Sequence, residues 1–418
     1  MKIMETVRKD GLRIISCHFP RKKRVRVELI SRVGYAHDPE DKRGLFHTFE
    51  HMAFKGTKKR NLKELKKFEN ANFFFTNATT RVLSTDYMAG AIDRRLPALC
   101  DYLCDIYFNA TYPKAELEKE KGAILLEIAR KEDNDRFQVW RAMDEHLYKE
   151  NPARLRGGGT VEGIKNITRE DLLREKSIWH IPSNTIAIAI GSVKHADFVR
   201  EINKHVPLDY KKVELSTWSD EAGDIPEEKN VVLEKPERKK VVLALSRKVP
   251  SKVDPKIREA ASLLSDLLGD SQNSMLWLEI REKRGLAYTI NCSFGETYGL
   301  ARDFSVYAEV APDKIDEVAR LIWKVLKKSV LDKKTEFEEL KRRAYEGFEI
   351  NAIEQSDPFS YGNSIWRKII DNKPVKQAES EDRERLKIIS SLTINDLEKV
   401  RKELIKPEYF VRVVLKGK

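Results

Sequence analysis

The chain has 418 residues, of which 41% are hydrophobic and 35% charged, and a formal net charge of +12. This mixture excludes a disordered chain, and no run approaches the roughly 20 apolar residues of a membrane-spanning helix. Four scattered cysteines (Cys17, Cys100, Cys104 and Cys292) exclude a disulfide framework.

Cys100 and Cys104, at helical spacing, read as a buried thiol pair in a reducing cytoplasm. With no signal or transit segment ahead of the first strand, the expected location is cytoplasmic. The basic residues are interleaved with acidic ones. The densest run, Arg21 to Arg26, opens an alternating strand and reads as a solvated hairpin end rather than a nucleic-acid patch.

In chain order, Leu12 to Ile15 and Val25 to Val33 carry strand signals, the second by alternation. Gly44 opens a helical segment with Leu45, Phe49 and Met52 on one face. Lys63 to Phe68 is a short helix, and Phe73 to Thr80 with Asp86 to Ile92 form paired strands. Helices follow at Leu96 to Phe108 and from Pro113 to about Lys131, where Pro113 suits the first turn. Ile186 to Ile190 is a further strand. Residues 216–230, acidic and poor in apolar residues, read as a linker. The pattern then restarts with two more strands.

The restart is an internal repeat. Ile167 to Leu172 reads I-T-x-x-D-L and is followed by Pro182 and the strand TIAIAIG. Leu392 to Leu397 reads L-T-x-x-D-L and is followed by Pro407 and the strand FVRVVLKG. The offset is 225 residues for both the Thr168/Thr393 and the Pro182/Pro407 pairs. The expected fold is therefore α+β: two similar domains, 1–215 and 231–418, joined by the linker 216–230. Each domain is expected to hold a largely antiparallel sheet with helices on one face.

The chemistry concentrates in FHTFEHMAFKGT. His47, Glu50 and His51 occupy positions i, i+3 and i+4, one face of a helix. Two imidazoles one turn apart can bind one zinc ion, with the carboxylate between them reaching its open side. A catalytic zinc commonly has three protein ligands. The best source of a third is the helix PKAELEKEKGAILLEIARKE, where Glu120 and Glu127 are two turns apart on one face. Glu127 is flanked by apolar residues, and a carboxylate there is costly to bury without a cation. Glu120 suits the orienting of a ligand histidine.

With these residues the sequence resembles the pitrilysin–insulinase family of zinc peptidases, especially its small members such as the mitochondrial processing peptidase subunits. His47, Glu50, His51, Glu120 and Glu127 match that family's motif. The segment Asn77-Ala78-Thr79-Thr80 with Tyr87 is also similar. So is LLGDSQNSMLWLEIREKRGLAY, in which the resemblance implies that Arg281 and Tyr288 act on substrate. It also implies one zinc ion per chain, because the second half has no H-x-x-E-H. Where the family often has a Gly pair before Asn-Ala, this chain has Ala71, Asn72 and three phenylalanines.

The implied activity is that of a zinc metalloendopeptidase. Zinc held by His47, His51 and Glu127 acidifies a water, with Glu50 as general base and Arg281 and Tyr288 stabilising the oxyanion. Asn77 and Ala78 are expected on an edge strand to which the peptide adds. Family architecture implies a closed chamber formed by two chains, either a homodimer or a heterodimer with a paralogue. The expected partners are peptides or small unfolded polypeptides, with no nucleic acid and no membrane. The competing reading is a non-catalytic assembly or binding subunit. Relatives of that kind lose motif residues, whereas this chain keeps the set.

Overall fold

The computed structural model describes all residues except 1, 21–22, 156, 217, 219–225, 227–228, 236–239, 251, 298–300, 355–374 and 418. Most of the expected linker, 216–230, thus lies outside the described residues. The chain divides into two compact units.

The first unit begins with strands β1 (Lys2–Val7), β2 (Arg13–His18) and β3 (Arg24–Ser31). Helices α1 (Leu45–Ala53) and α2 (Leu62–Asn72) lead to β4 (Phe75–Thr80) and β5 (Thr85–Ile92). Helices α3 (Leu96–Phe108) and α4 (Lys114–Glu132) follow. Helix α5 (Asp135–Leu147), which belongs with the second unit, comes next in the chain, then α6 (Val161–Asn166), α7 (Arg169–Trp179), β6 (Thr185–Gly191) and α8 (His195–His205) of the first. The sheet order is β1-β2-β6-β3-β5-β4. Only the β2–β6 pair is parallel. Alternation along the strands puts Val25, Val27 and Leu29 of β3, with Tyr87 and Ala89 of β5, into one core with Leu99 and Leu103 of α3 and Phe198 of α8. A second core gathers Leu45, Phe46, Phe49 and Met52 of α1 with Leu117, Ile124 and Ile128 of α4.

The second unit has β7 (Asn230–Lys235), β8 (Val241–Val249), α9 (Pro255–Gly269), β9 (Ala287–Thr297) and β10 (Ala301–Val310). Helices α10 (Ile315–Lys327), α11 (Lys334–Glu354), α12 (Val375–Ser391) and α13 (Ile394–Leu404) precede β11 (Val411–Gly417). Its sheet order is β7-β11-β8-β10-β9, with β7–β11 the parallel pair.

The two orders superpose strand for strand once β1 is set aside, so the repeat is structural. Thr168 and Thr393 each cap a helix, accepting the N–H of Asp171 and Asp396 respectively, and each aspartate returns the bond to the cap N–H. β4 and β9 hold the same edge position in their sheets.

Three expectations need correction. The packing does not keep residues 1–215 together, because residues 131–156 belong with the second unit. Helix α5 lies on β8 and β11, burying Val139, Ala142, Met143 and Leu147, and Trp140 stacks on Tyr307 of β10. Apolar spacing marks such a face but not the sheet that covers it. β1 is an additional strand that pairs with β2. Arg26, expected on a solvated hairpin end, is 4% exposed and ion-paired to Glu28 at 2.8 Å. Burial pushes the Glu28 carboxyl up to about 7 against the pull of Arg26.

Candidate active site

Helix α1 starts where the chain turns sharply. Gly44, its N-cap, has φ 103°, and a Cβ there would lie 2.4 Å from Ile164 Cδ1 and 3.0 Å from the Gly158 carbonyl. The buried Asp38 carboxylate supplies the capping that Gly44 cannot. It accepts the N–H of Gly44 at 2.7 Å and of Phe46 at 2.9 Å. Burial outweighs these bonds and raises the Asp38 carboxyl to about 7. With Leu45, Phe46, Phe49 and Met52 fixed in the core, helical geometry turns His47, Glu50 and His51 to the other face.

Helix α4 faces this stripe. His51 Nδ1 lies 3.0 Å from Glu120 Oε2. An ionised carboxylate only accepts, so Nδ1 carries the proton and Nε2 is left with its lone pair. Lys55 Nζ holds the other Glu120 oxygen at 2.5 Å. Burial raises the Glu120 carboxyl, but Lys55 and His51 together bring it below the usual range. His47 Nε2 is 3.7 Å from Glu127 Oε2, and His51 Nε2 is 3.9 Å from Glu127 Oε1.

These contacts exceed hydrogen-bond length, yet the three donor groups lie within 4.8 Å of one another. Neighbouring donors on a tetrahedral zinc stand about 3.4 Å apart. Two imidazoles and a carboxylate at this spacing therefore fit zinc with only a small contraction. Glu50 stands beside them and is not part of the triad. Its Oε2 accepts the Thr80 hydroxyl at 2.5 Å. Burial raises the Glu50 carboxyl, partly offset by Thr80 and by the neighbouring His51.

The structure thus brings His47, Glu50, His51, Glu120 and Glu127 together. Glu127 is less buried than its apolar flanks imply. Its side chain is 37% exposed and Leu126 is 74% exposed, because Ile124 and Ile128 occupy the inner face of α4 and Leu126 does not. Asn77 and Ala78 lie on β4, the edge strand; Asn77 is exposed and Ala78 packs partly against the core. The same strand ends at Thr80 against Glu50. Arg281 and Tyr288 meet each other in the second unit, where Arg281 Nη1 donates to the Tyr288 carbonyl. Sequence reasoning missed Asp38, Lys55 and Thr80 as supports of the site. The EHMAFK spacing, one turn from His51 to Lys55, was the available signal for the lysine.

Comparisons with known proteins converge on one family of peptidases. A model described as "Insulinase (Peptidase family M16)" matches residues 13–158, and one described as "Peptidase M16 inactive domain" matches residues 166–344. An uncharacterized zinc protease of Rickettsia bellii is 27% identical over 74% of this chain and 74% of its own length. Among solved structures, a protease from Helicobacter pylori has TM-score 0.84 at 21% identity, covering 99% of both chains. The periplasmic protease PqqL from Escherichia coli has TM-score 0.83 at 18% identity, covering 99% of this chain and 47% of that one.

Proposed function

Because the chain belongs to the pitrilysin–insulinase family of peptidases, as its two family-model matches show, we propose that it is a zinc-dependent endopeptidase acting on peptides or small unfolded polypeptides. The observation that carries this reading is the convergence of His47, His51 and Glu127 beside a separately anchored Glu50.

His47 Nε2, His51 Nε2 and a Glu127 oxygen would hold the ion. When bound, zinc would supply Lewis acidity toward water and the scissile carbonyl. Glu120 fixes the ring of His51 through Nδ1. Glu50 receives the proton of the attacking water on its carboxylate and returns it to the leaving amine. The Thr80 hydroxyl keeps one Glu50 oxygen in place for this. A peptide adding to the open edge of β4, along Asn77 and Ala78, would run beside α1. Arg281 and Tyr288 would donate to the substrate carbonyl.

The chain spans about half of PqqL, which supports a chamber assembled from two chains, identical or paralogous. The inactive-domain match is in keeping with a second half that holds no metal motif, while the first keeps every motif residue.

The test is a mixed peptide library incubated with the purified chain, with and without chelator, beside Glu50→Gln. We expect zinc-dependent cleavage by the wild type. Glu50→Gln should retain zinc and lose turnover. A variant that still cleaves would remove Glu50 as the base, and a wild type that binds zinc without cleaving would favour the binding-subunit reading.

A further inference from the structure

The second unit holds Arg281 in a way that its assigned role does not explain. Residues Trp277–Glu282 form a π-helical turn directly before β9. Such turns are rare and concentrate at functional sites. The wider pitch sets residues five apart side by side, and Trp277 Nε1 donates to Glu282 Oε1 at 3.0 Å. The indole is thereby pinned at its polar edge. The guanidinium carbon of Arg281 lies 4.1 Å from the Trp277 ring centroid and 5.4 Å from that of Tyr288. Arg281 Nη1 donates to the Tyr288 carbonyl.

We propose that Trp277 is a positioning residue for Arg281, one side of an aromatic clamp that fixes the direction in which the guanidinium presents its N–H groups. The proposal rests on the reading above that Arg281 acts on substrate. An arginine has long, freely rotating bonds and ordinarily loses much freedom on engaging a ligand. Aromatic contact uses the faces of the guanidinium, whereas its hydrogen bonds leave in the plane. The clamp therefore restricts Arg281 without consuming donors. Only Nη1 is spent, on Tyr288. Among the described residues, no acceptor is bonded to Nη2 or Nε. These donors remain for a carbonyl brought alongside the start of β9. The pinning of Trp277 by Glu282 completes the chain of support from the turn to the guanidinium.

A tryptophan that merely filled space would affect stability, not the behaviour of Arg281. The experiment compares Trp277→Phe, Trp277→Leu, Arg281→Ala and the double variant Trp277→Leu/Arg281→Ala in the full chain. The first readout is the Arg281 Nε–Hε resonance, assigned by its loss in Arg281→Ala. It should sit upfield through the aromatic ring currents, stay upfield in Trp277→Phe and move toward the free-arginine position in Trp277→Leu. The second readout is cleavage of an internally quenched nonapeptide mixture. Trp277→Leu should lower kcat/KM about three- to fivefold, a loss in keeping with a cation–π contact that stays open to water. Trp277→Phe should recover most of it. In the Arg281→Ala background, Trp277→Leu should change the rate less than about twofold, because it acts through Arg281.

An unmoved Arg281 resonance in Trp277→Leu, or an equal rate loss with and without Arg281, would overturn the proposal. A wild-type chain that cleaves nothing would defeat the peptidase reading instead, while the resonance would still decide the role of Trp277.

Discussion

Glu120 lies outside the donor group of His47, His51 and Glu127, so under the proposed function its replacement isolates the value of orienting a ligand. Glu120→Gln keeps the shape of the side chain but replaces a carboxylate acceptor with an amide. In the native site the carboxylate divides its charge between two donors, His51 Nδ1 at 3.0 Å and Lys55 Nζ at 2.5 Å. The amide offers one carbonyl for two donors, and its NH₂ group would face a cation. His51 then loses both its fixed ring orientation and the electron donation that makes Nε2 a better ligand.

Losses of this type weaken metal affinity by about 10–100-fold, or roughly 1.4–2.7 kcal/mol. Because Lys55 already draws on the carboxylate, the lower half of that range is expected. Lys55→Met should act in the opposite sense. Freed of its cation, Glu120 becomes a stronger acceptor for His51, and zinc should bind at least as tightly as in the wild type. The assay is competition titration against a chromophoric zinc chelator, with circular dichroism confirming that each variant is folded. Equal affinity for Glu120→Gln and wild type would refute the orienting role. An equal loss in both variants would show that the Lys55–Glu120 pair serves only as a strut between α4 and the turn that ends α1.

Thr80→Val removes the hydroxyl from Glu50 at nearly constant shape. A hydrogen bond to a charged group contributes about 1.5–3 kcal/mol, so kcat should fall about 10–100-fold with zinc content unchanged; an unaltered kcat would mean that burial alone holds Glu50. In the second unit, two bonds from Arg401 and one from the Val330 N–H hold the Glu398 carboxyl down to about 2, below its ordinary 4.5. The unfolded chain thus takes up this proton first as the pH falls. The stabilisation, about 3 kcal/mol, is complete above pH 4.5 and lost toward pH 2. Glu398→Gln should lack that slope in denaturant unfolding measured across this window, and parallel curves for variant and wild type would remove Glu398 from the account. For assembly, Glu50→Gln chains mixed with Arg281→Ala/Tyr288→Phe chains should regain about a quarter of wild-type sites at random exchange, if each chain completes the site of its partner. No recovery, with exchange verified by native mass spectrometry, would exclude completion between chains.

How far the sequence could be read follows from where the interacting residues sit. His47, Glu50 and His51 fall within one helical turn, so residue type and spacing alone define their shared face. Glu120 and Glu127 were accessible by the same geometry on a second helix. The repeat was visible because Thr168-x-x-Asp171 and Thr393-x-x-Asp396 are local capping devices that stay adjacent in sequence. Thr80 was not legible as an anchor. It reaches Glu50 across 30 residues and a change from strand to helix, and threonine at the end of a strand is unremarkable. Asp38 caps α1 from outside the usual cap position, over a left-handed glycine that breaks the usual signature. Arg26 shows the limit of composition. A basic run reads as solvated unless the partner two residues on, Glu28, is known to turn inward with it.

The placement of α5 bears on how this molecule could be taken apart. Glu127 sits on α4, and only residues 133 and 134 separate the end of that helix from α5. Yet α5 is part of the hydrophobic interior of the second unit. A gene cut at the acidic linker would therefore not yield a self-sufficient zinc-binding fragment. It would carry away Val139, Ala142, Met143 and Leu147 with no sheet to cover them, each of the larger ones forfeiting about 1.5–3 kcal/mol. It would also open a matching hole in the fragment left behind. Helix α5 thus follows the first half in sequence and the second in packing, and Glu127 stands a turn and a half from the end of the helix that leads to it.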